Sequence, residues 1–134
     1  METKQKLILL ADDDIEDLEL LGETILQLDP DTKLVTVSSG SSVLEYLEKS
    51  AGPEIPCLIV MDYNMPDMNG AEVLGEMGKE SRYQQIPKIV WSTSNSNGFM
   101  KECMKNGATA YFVKPSTNKQ LQEQAQEMLS MCLK

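Results

Sequence analysis

Five apolar runs alternate with five stretches of helical periodicity along the chain. Lys6 to Ala11 is continuously apolar after its first residue, as expected for a strand covered on both faces. After Asp14, the residues Ile15, Leu18, Leu21, Ile25 and Leu28 fall on one helical face. Asp29-Pro30-Asp31 ends that helix. Leu34-Val35-Thr36-Val37 reads as a second strand, and Ser38-Ser39-Gly40-Ser41 caps a helix carrying Val43, Leu44 and Leu47. Gly52-Pro53 and Pro56 bracket a loop before a third strand, Cys57 to Met61. A helix from about Ala71 to Lys79 follows, weakened by Gly75 and Gly78. Pro87 introduces a fourth strand, Lys88 to Ser92, and a helix with Phe99, Met100, Cys103 and Met104 ends at Asn106-Gly107. The fifth strand is Ala110 to Val113. The last helix, from about Ser116, places Leu121, Ala125, Met128, Leu129 and Cys132 on one face.

Strands that alternate with helices predict an α/β fold with right-handed crossovers and a parallel sheet. The expected architecture is a five-stranded, doubly wound sheet in the flavodoxin-like order 2-1-3-4-5. The length of 134 residues fits a single domain over 1–134. A net charge of −9 with a single arginine, Arg82, opposes a nucleic-acid surface. Without histidine, the chain cannot supply an imidazole base or ligand. No apolar stretch approaches the roughly 18 residues that span a bilayer. Met1-Glu2-Thr3-Lys4-Gln5-Lys6 leads straight into the first strand rather than forming a signal peptide. Cytoplasmic placement follows as an expectation. Cys57, Cys103 and Cys132 are odd in number and share no metal spacing, so idle thiols in a reducing compartment are expected.

The chemistry gathers where strands end. Asp12 and Asp13 close the first run, Asp62 the third and Lys114 the fifth. In a parallel sheet these positions share the carboxyl edge, where ligands bind, and the order 2-1-3-4-5 sets strands 1 and 3 side by side. Two carboxylates 4 Å apart repel by about 4 kcal/mol at an effective dielectric near 20, so a cation is needed among them. Magnesium, an oxygen-seeking ion that takes one or two carboxylates, suits Asp13 and Asp62 as ligands, with Asp12 holding a bound water. Asp14 reads as a helix cap that offsets the positive dipole end. Asp62 is a candidate nucleophile for an aspartyl phosphate, with Lys114 placed to neutralise phosphate charge. A cis Lys114–Pro115 bond, an option at any X-Pro pair, would aim the lysine into the crevice. Ser92 offers a hydroxyl to a phosphate oxygen, although a serine in Ser92-Thr93-Ser94-Asn95-Ser96 also reads as a helix cap. Tyr111 reads equally as half-buried packing.

The segments Leu9-Leu10-Ala11-Asp12-Asp13, Asp62-Tyr63-Asn64-Met65-Pro66-Asp67-Met68-Asn69-Gly70 and Pro87-Lys88-Ile89-Val90-Trp91-Ser92-Thr93 stand in order. Gly107-Ala108 and Tyr111-Phe112-Val113-Lys114-Pro115 follow. In this order and spacing the chain resembles a response-regulator receiver domain of two-component signalling over nearly its whole length. The resemblance implies that Asp62 is the phosphoacceptor, charged by a histidine kinase or phosphotransfer protein. It implies that Asp12, Asp13, Asp62 and the Asn64 backbone carbonyl hold Mg2+. Ser92 matches the switch hydroxyl, Lys114 the phosphate-binding lysine and Tyr111 the aromatic switch. Asn64 and Ser94 match positions that tune phosphate lifetime. The implied readout is the face of helix 4, strand 5 and helix 5, which would bind a downstream protein or relay phosphate onward. Thr93 replaces a commonly smaller residue, and Ser116 a commonly apolar one. With no output domain after Lys134, a stand-alone receiver is expected: a signalling phosphoacceptor rather than an enzyme.

Other readings fit less well. A haloacid-dehalogenase-type phosphatase needs a second acid two residues after its nucleophile, where Asn64 stands. A flavin carrier needs a Ser/Thr/Gly phosphate loop after strand 1, where Asp12-Asp13-Asp14 would repel phosphate. A degenerate receiver would have lost an acidic or lysine position, and none is lost.

Overall fold

The computed structural model describes residues 6–132. The sequence expectations for residues 1–5, and for Lys134 as the last residue, lie outside that range. Strands β1 (Leu7–Ala11), β2 (Lys33–Val37), β3 (Leu58–Met61), β4 (Lys88–Ser92) and β5 (Ala110–Val113) form one sheet in the order β2-β1-β3-β4-β5. Every neighbouring pair is parallel. The connecting helices are α1 (Ile15–Leu28), α2 (Gly40–Lys49), α3 (Gly70–Met77), α4 (Asn97–Lys105) and α5 (Asn118–Cys132). The expected class and strand order are present, with four helical crossovers and α5 packed after the last strand.

The continuous apolar strands are explained by a core on each side of the sheet. Leu9, Ala11, Ile59, Met61 and Val90 point to a cluster with Val43 of α2, Val73 and Leu74 of α3 and Cys103 of α4. Their neighbours Ile8, Leu10, Leu58, Val60, Ile89 and Trp91 point the other way, onto Leu21 and Ile25 of α1 and Leu121, Ala125 and Met128 of α5. Alternate side chains on a strand face opposite sides, so burial on both faces demands an unbroken apolar run.

Helix starts follow the capping chemistry. Asp14 accepts from the Asp17 N–H, Ser39 from Ser42 and Ser96 from Phe99. Asn69 and Glu72 form a reciprocal capping box at α3. Ile15 and Leu28, placed by periodicity on the inner face of α1, are exposed. At about 1.5 Å per residue that helix runs about 21 Å, and a five-residue strand only about 17 Å. The helix therefore overhangs the sheet at both ends.

Two expectations need correction. No cis peptide occurs among the described residues, so the Lys114–Pro115 bond is trans. Cys57 and Cys132 are bonded as a disulfide across 75 positions of sequence, and only Cys103 is a free, buried thiol. Their Cα atoms lie 4.9 Å apart, within the range a disulfide spans. Packing of α5 against the sheet brings the helix's last residue to the foot of β3.

Candidate functional site

Strand register builds the site. Ala11 pairs with Met61, so the next residues, Asp12 and Asp62, emerge side by side at the carboxyl edge. The Asp62 N–H donates to the Ala11 carbonyl at 2.9 Å, and that of Asp12 to Val37 at 3.1 Å. Ser92 pairs with Val113, and the Lys114 N–H donates to the Ser92 carbonyl at 2.8 Å. Four strand ends thus point their side chains at one crevice.

Lys114 spans it. Its Nζ lies 2.7 Å from Asp12 Oδ2, 2.7 Å from Asp17 Oδ2 and 3.3 Å from Asp62 Oδ2. The Asp17 and Asp62 approaches are hydrogen bonds; the Asp12 pair is close in distance only, and Asp12 Oδ2 is buried without a hydrogen bond. The ammonium also sits 5.0 Å from the centre of the Trp91 ring, a cation–π distance. Burial works against the Lys114 charge, but the close carboxylates of Asp12, Asp17 and Asp62 outweigh it and hold its pKa above the ordinary lysine value.

Burial acts the other way on Asp12. Desolvation pushes its carboxyl up to about 6, against the pull of Lys114 and the Asp14 N–H. Oxygens of Asp12, Asp13 and Asp62 lie within 4.8 Å of one another. A buried carboxylate oxygen without a hydrogen bond, beside two more hard oxygen donors, fits a divalent cation such as Mg2+ or Mn2+. Asp12 is 1% exposed and Asp62 8%, while Asp13 is open to solvent.

The other expected residues lie along the loops. Asn64 is exposed and gives its backbone N–H to Asp62 Oδ1 at 3.4 Å. Ser92 is fully buried, and its Oγ accepts from the Ser94 N–H at 3.2 Å rather than bonding Asp62 directly. Tyr111, half-buried on β5, donates its hydroxyl to the Ser94 carbonyl at 2.8 Å. Ser94 therefore joins the switch candidates Ser92 and Tyr111. Asp14 caps α1, as expected.

Glycine permits the loop that carries Asp62. A Cβ on Gly70 would sit 3.0 Å from the Asp62 carbonyl oxygen, and one on Gly40 only 2.5 Å from that of Met68. The start of α2 thus rests directly on the loop. Asp67, at φ 65, fastens it further by accepting from the Ser41 N–H at 3.1 Å and from the Ser41 hydroxyl.

Sequence reasoning missed Asp17. It sits in the first turn of α1, where acids are common because they offset the helix dipole. It also missed the link from Tyr63 to α4. The Tyr63 ring stacks on Phe99 at 4.1 Å, and its hydroxyl donates to Glu102 Oε1 at 2.6 Å.

The family model for the response regulator receiver domain matches residues 8–126. The chain belongs to that family. Among relatives of this receiver, the two-component response regulator ARR8 of Arabidopsis thaliana is 32% identical over 131 residues. That match covers 86% of this chain but 57% of the plant protein, so the receiver spans little more than half of that relative's length. A chemotaxis protein CheY homolog of Campylobacter jejuni is 27% identical, with 91% of both chains covered. The phosphorylated cyanobacterial phytochrome response regulator RcpA superposes with a TM-score of 0.85 at 26% identity, covering 96% of this chain and 94% of that one. The Mn(2+)-bound form of Rcp1 gives 0.80 at 28% identity, covering 93% and 92%.

Proposed function

We propose that this receiver accepts a phosphoryl group on Asp62 from a phosphohistidine of a histidine kinase or phosphotransfer protein. The observation that carries this reading is the placement of Lys114 Nζ within 3.3 Å of Asp62 and 2.7 Å of Asp12 at the carboxyl edge of the sheet. An Asp62 oxygen attacks phosphorus, the phosphorus–nitrogen bond breaks and the imidazole leaves, giving an acyl phosphate. Positioning and charge neutralisation supply the catalysis, so the chain needs no histidine of its own. Lys114 holds one phosphoryl oxygen, and the Ser92 hydroxyl donates to another. Asp12, Asp13, Asp62 and the Asn64 carbonyl hold Mg2+, which when bound offsets the charge of the carboxylates and the incoming phosphoryl group. The Mn(2+)-bound form of the related Rcp1 supports a divalent ion here.

Movement of Ser92 toward the phosphate pulls on Ser94 and, through it, on Tyr111. The face of α4, β5 and α5 then presents a changed surface to a downstream protein or passes phosphate onward. Asn64 and Ser94 flank the phosphate and set how readily water reaches it. In this reading residues 1–134 are one cytoplasmic receiver, a phosphoacceptor that promotes its own transfer and hydrolysis. No helix among the described residues is long and apolar enough to cross a membrane.

Intact-mass measurement after incubation with Mg2+ and a small acyl phosphate tests the assignment. Wild type gains one phosphoryl group, while Asp62→Asn and wild type in excess chelator gain none. Equal labelling of wild type and Asp62→Asn overturns it.

A further inference from the structure

Asp17 stands outside the cluster of metal-ligating carboxylates, yet it makes the shorter of the two hydrogen bonds from Lys114, 2.7 Å against 3.3 Å to Asp62. The pairing joins residues 97 positions apart. An acid in a first helical turn is ordinarily explained by the helix dipole, which asks for no partner across the fold. Here the helix start is pinned as well, because the Asp17 N–H donates to the Asp14 carboxylate. The Asp17 side chain is thereby delivered to the ammonium.

An ammonium has three N–H donors. Two of those on Lys114 go to Asp17 and Asp62, and Asp12 Oδ2 lies 2.7 Å from the same nitrogen. A phosphoryl oxygen that reaches Lys114 enters a space crowded by three carboxylates and competes with them for the ammonium. The Asp17 side chain is 30% exposed, against 1% for Asp12 and 11% for Asp62. As the least buried of the three, it is the one that can leave the ammonium for water with the least rearrangement around it, and a part-exposed pair holds it only weakly.

We propose that Asp17 is a positioning residue that acts through Lys114, sharing the ammonium while Asp62 is unmodified and yielding it when a phosphoryl group arrives. Asp17 thus competes with the phosphoryl group and weakens the receiver's hold on it. This rests on the phosphoacceptor role of Asp62.

The only tryptophan, Trp91, has its ring 5.0 Å from Lys114 Nζ and serves as a built-in reporter. Beryllium fluoride with Mg2+ is titrated while Trp91 fluorescence is followed. Asp17→Asn tightens the apparent affinity roughly fivefold, the scale of a part-exposed ion pair. Asp17→Glu restores the wild-type value. Glu16→Gln, which removes the same charge from the exposed neighbouring residue, leaves affinity within about twofold. In metal-free protein the Lys114 Nζ resonance shifts in Asp17→Asn and not in Glu16→Gln. The proposal is overturned if Asp17→Asn binds like wild type, or if Glu16→Gln matches it, which would mark a general field effect. Failure of wild type itself to bind beryllium fluoride would instead sink the phosphoacceptor reading.

Discussion

Asp12, Asp13 and Asp62 set three carboxylate oxygens within 4.8 Å, and Lys114 contacts only Asp12 and Asp62 among them. Asp13 therefore adds negative charge that the ammonium does not offset. Replacing it with asparagine should stabilise the metal-free protein, by up to about 1 kcal/mol because the residue is exposed. If the carboxylates hold Mg2+ as proposed, added Mg2+ should raise the melting temperature of wild type and not that of Asp13→Asn. Melts in chelator and in Mg2+ read both effects; an Asp13→Asn protein that melts below wild type in chelator would show that no repulsion is stored there. The four residues at strand ends were legible because each follows an apolar run, and register then fixes their neighbours. Asp17 was not, since its contact depends on how far Lys114, just past β5, reaches across two strands, which no local pattern encodes.

At the scale of elements, α4 is tied to the loop after β3 through the residue next to Asp62. Tyr63 stacks on Phe99 and bonds Glu102, and that hydrogen bond, with burial, pushes the phenol up to about 12 from 10.0. Folding raises this pKa, so the stabilisation is full below about pH 10 and fades as pH climbs toward 12. Tyr63→Phe should cost about 1 kcal/mol at neutral pH, with the gap from wild type closing in strong alkali. An alkaline absorbance titration should show that an ionisation near pH 12 in wild type is missing from the variant. Identical titration curves would mean that Glu102 does not hold the phenol. Element boundaries were largely legible too: β4 and β5 lie where their apolar runs end. The last helix begins at Asn118 rather than about Ser116, because Thr117 caps it, its hydroxyl accepting from the Gln120 N–H at 3.2 Å. The α4 tether left no trace in sequence, since Tyr63 reads simply as the residue after an aspartate.

For the whole molecule, alternation of runs was enough to specify a doubly wound sheet with right-handed crossovers, and 2-1-3-4-5 is one of the two common strand orders of such a sheet. Contacts that close the fold over long separations were a different matter, and the Cys57–Cys132 disulfide is the clearest case. Cys57 precedes β3 at its amino end and Cys132 ends α5, so the bond staples the face of the sheet that α5 covers at the edge away from Asp62. Closing a loop over a separation of 75 residues restricts the unfolded chain by up to about 4 kcal/mol in the chain-entropy picture. Reductant should therefore lower the melting temperature of wild type and leave Cys132→Ser, already without the bond, unmoved. The site lies at the opposite end of the strands, and effects at distant positions add independently. Beryllium fluoride affinity should consequently stay within about twofold on reduction, even as stability falls. A wild-type melt indifferent to reductant would remove the staple from the account, and a large loss of affinity would show that α5 carries its influence to the carboxyl edge.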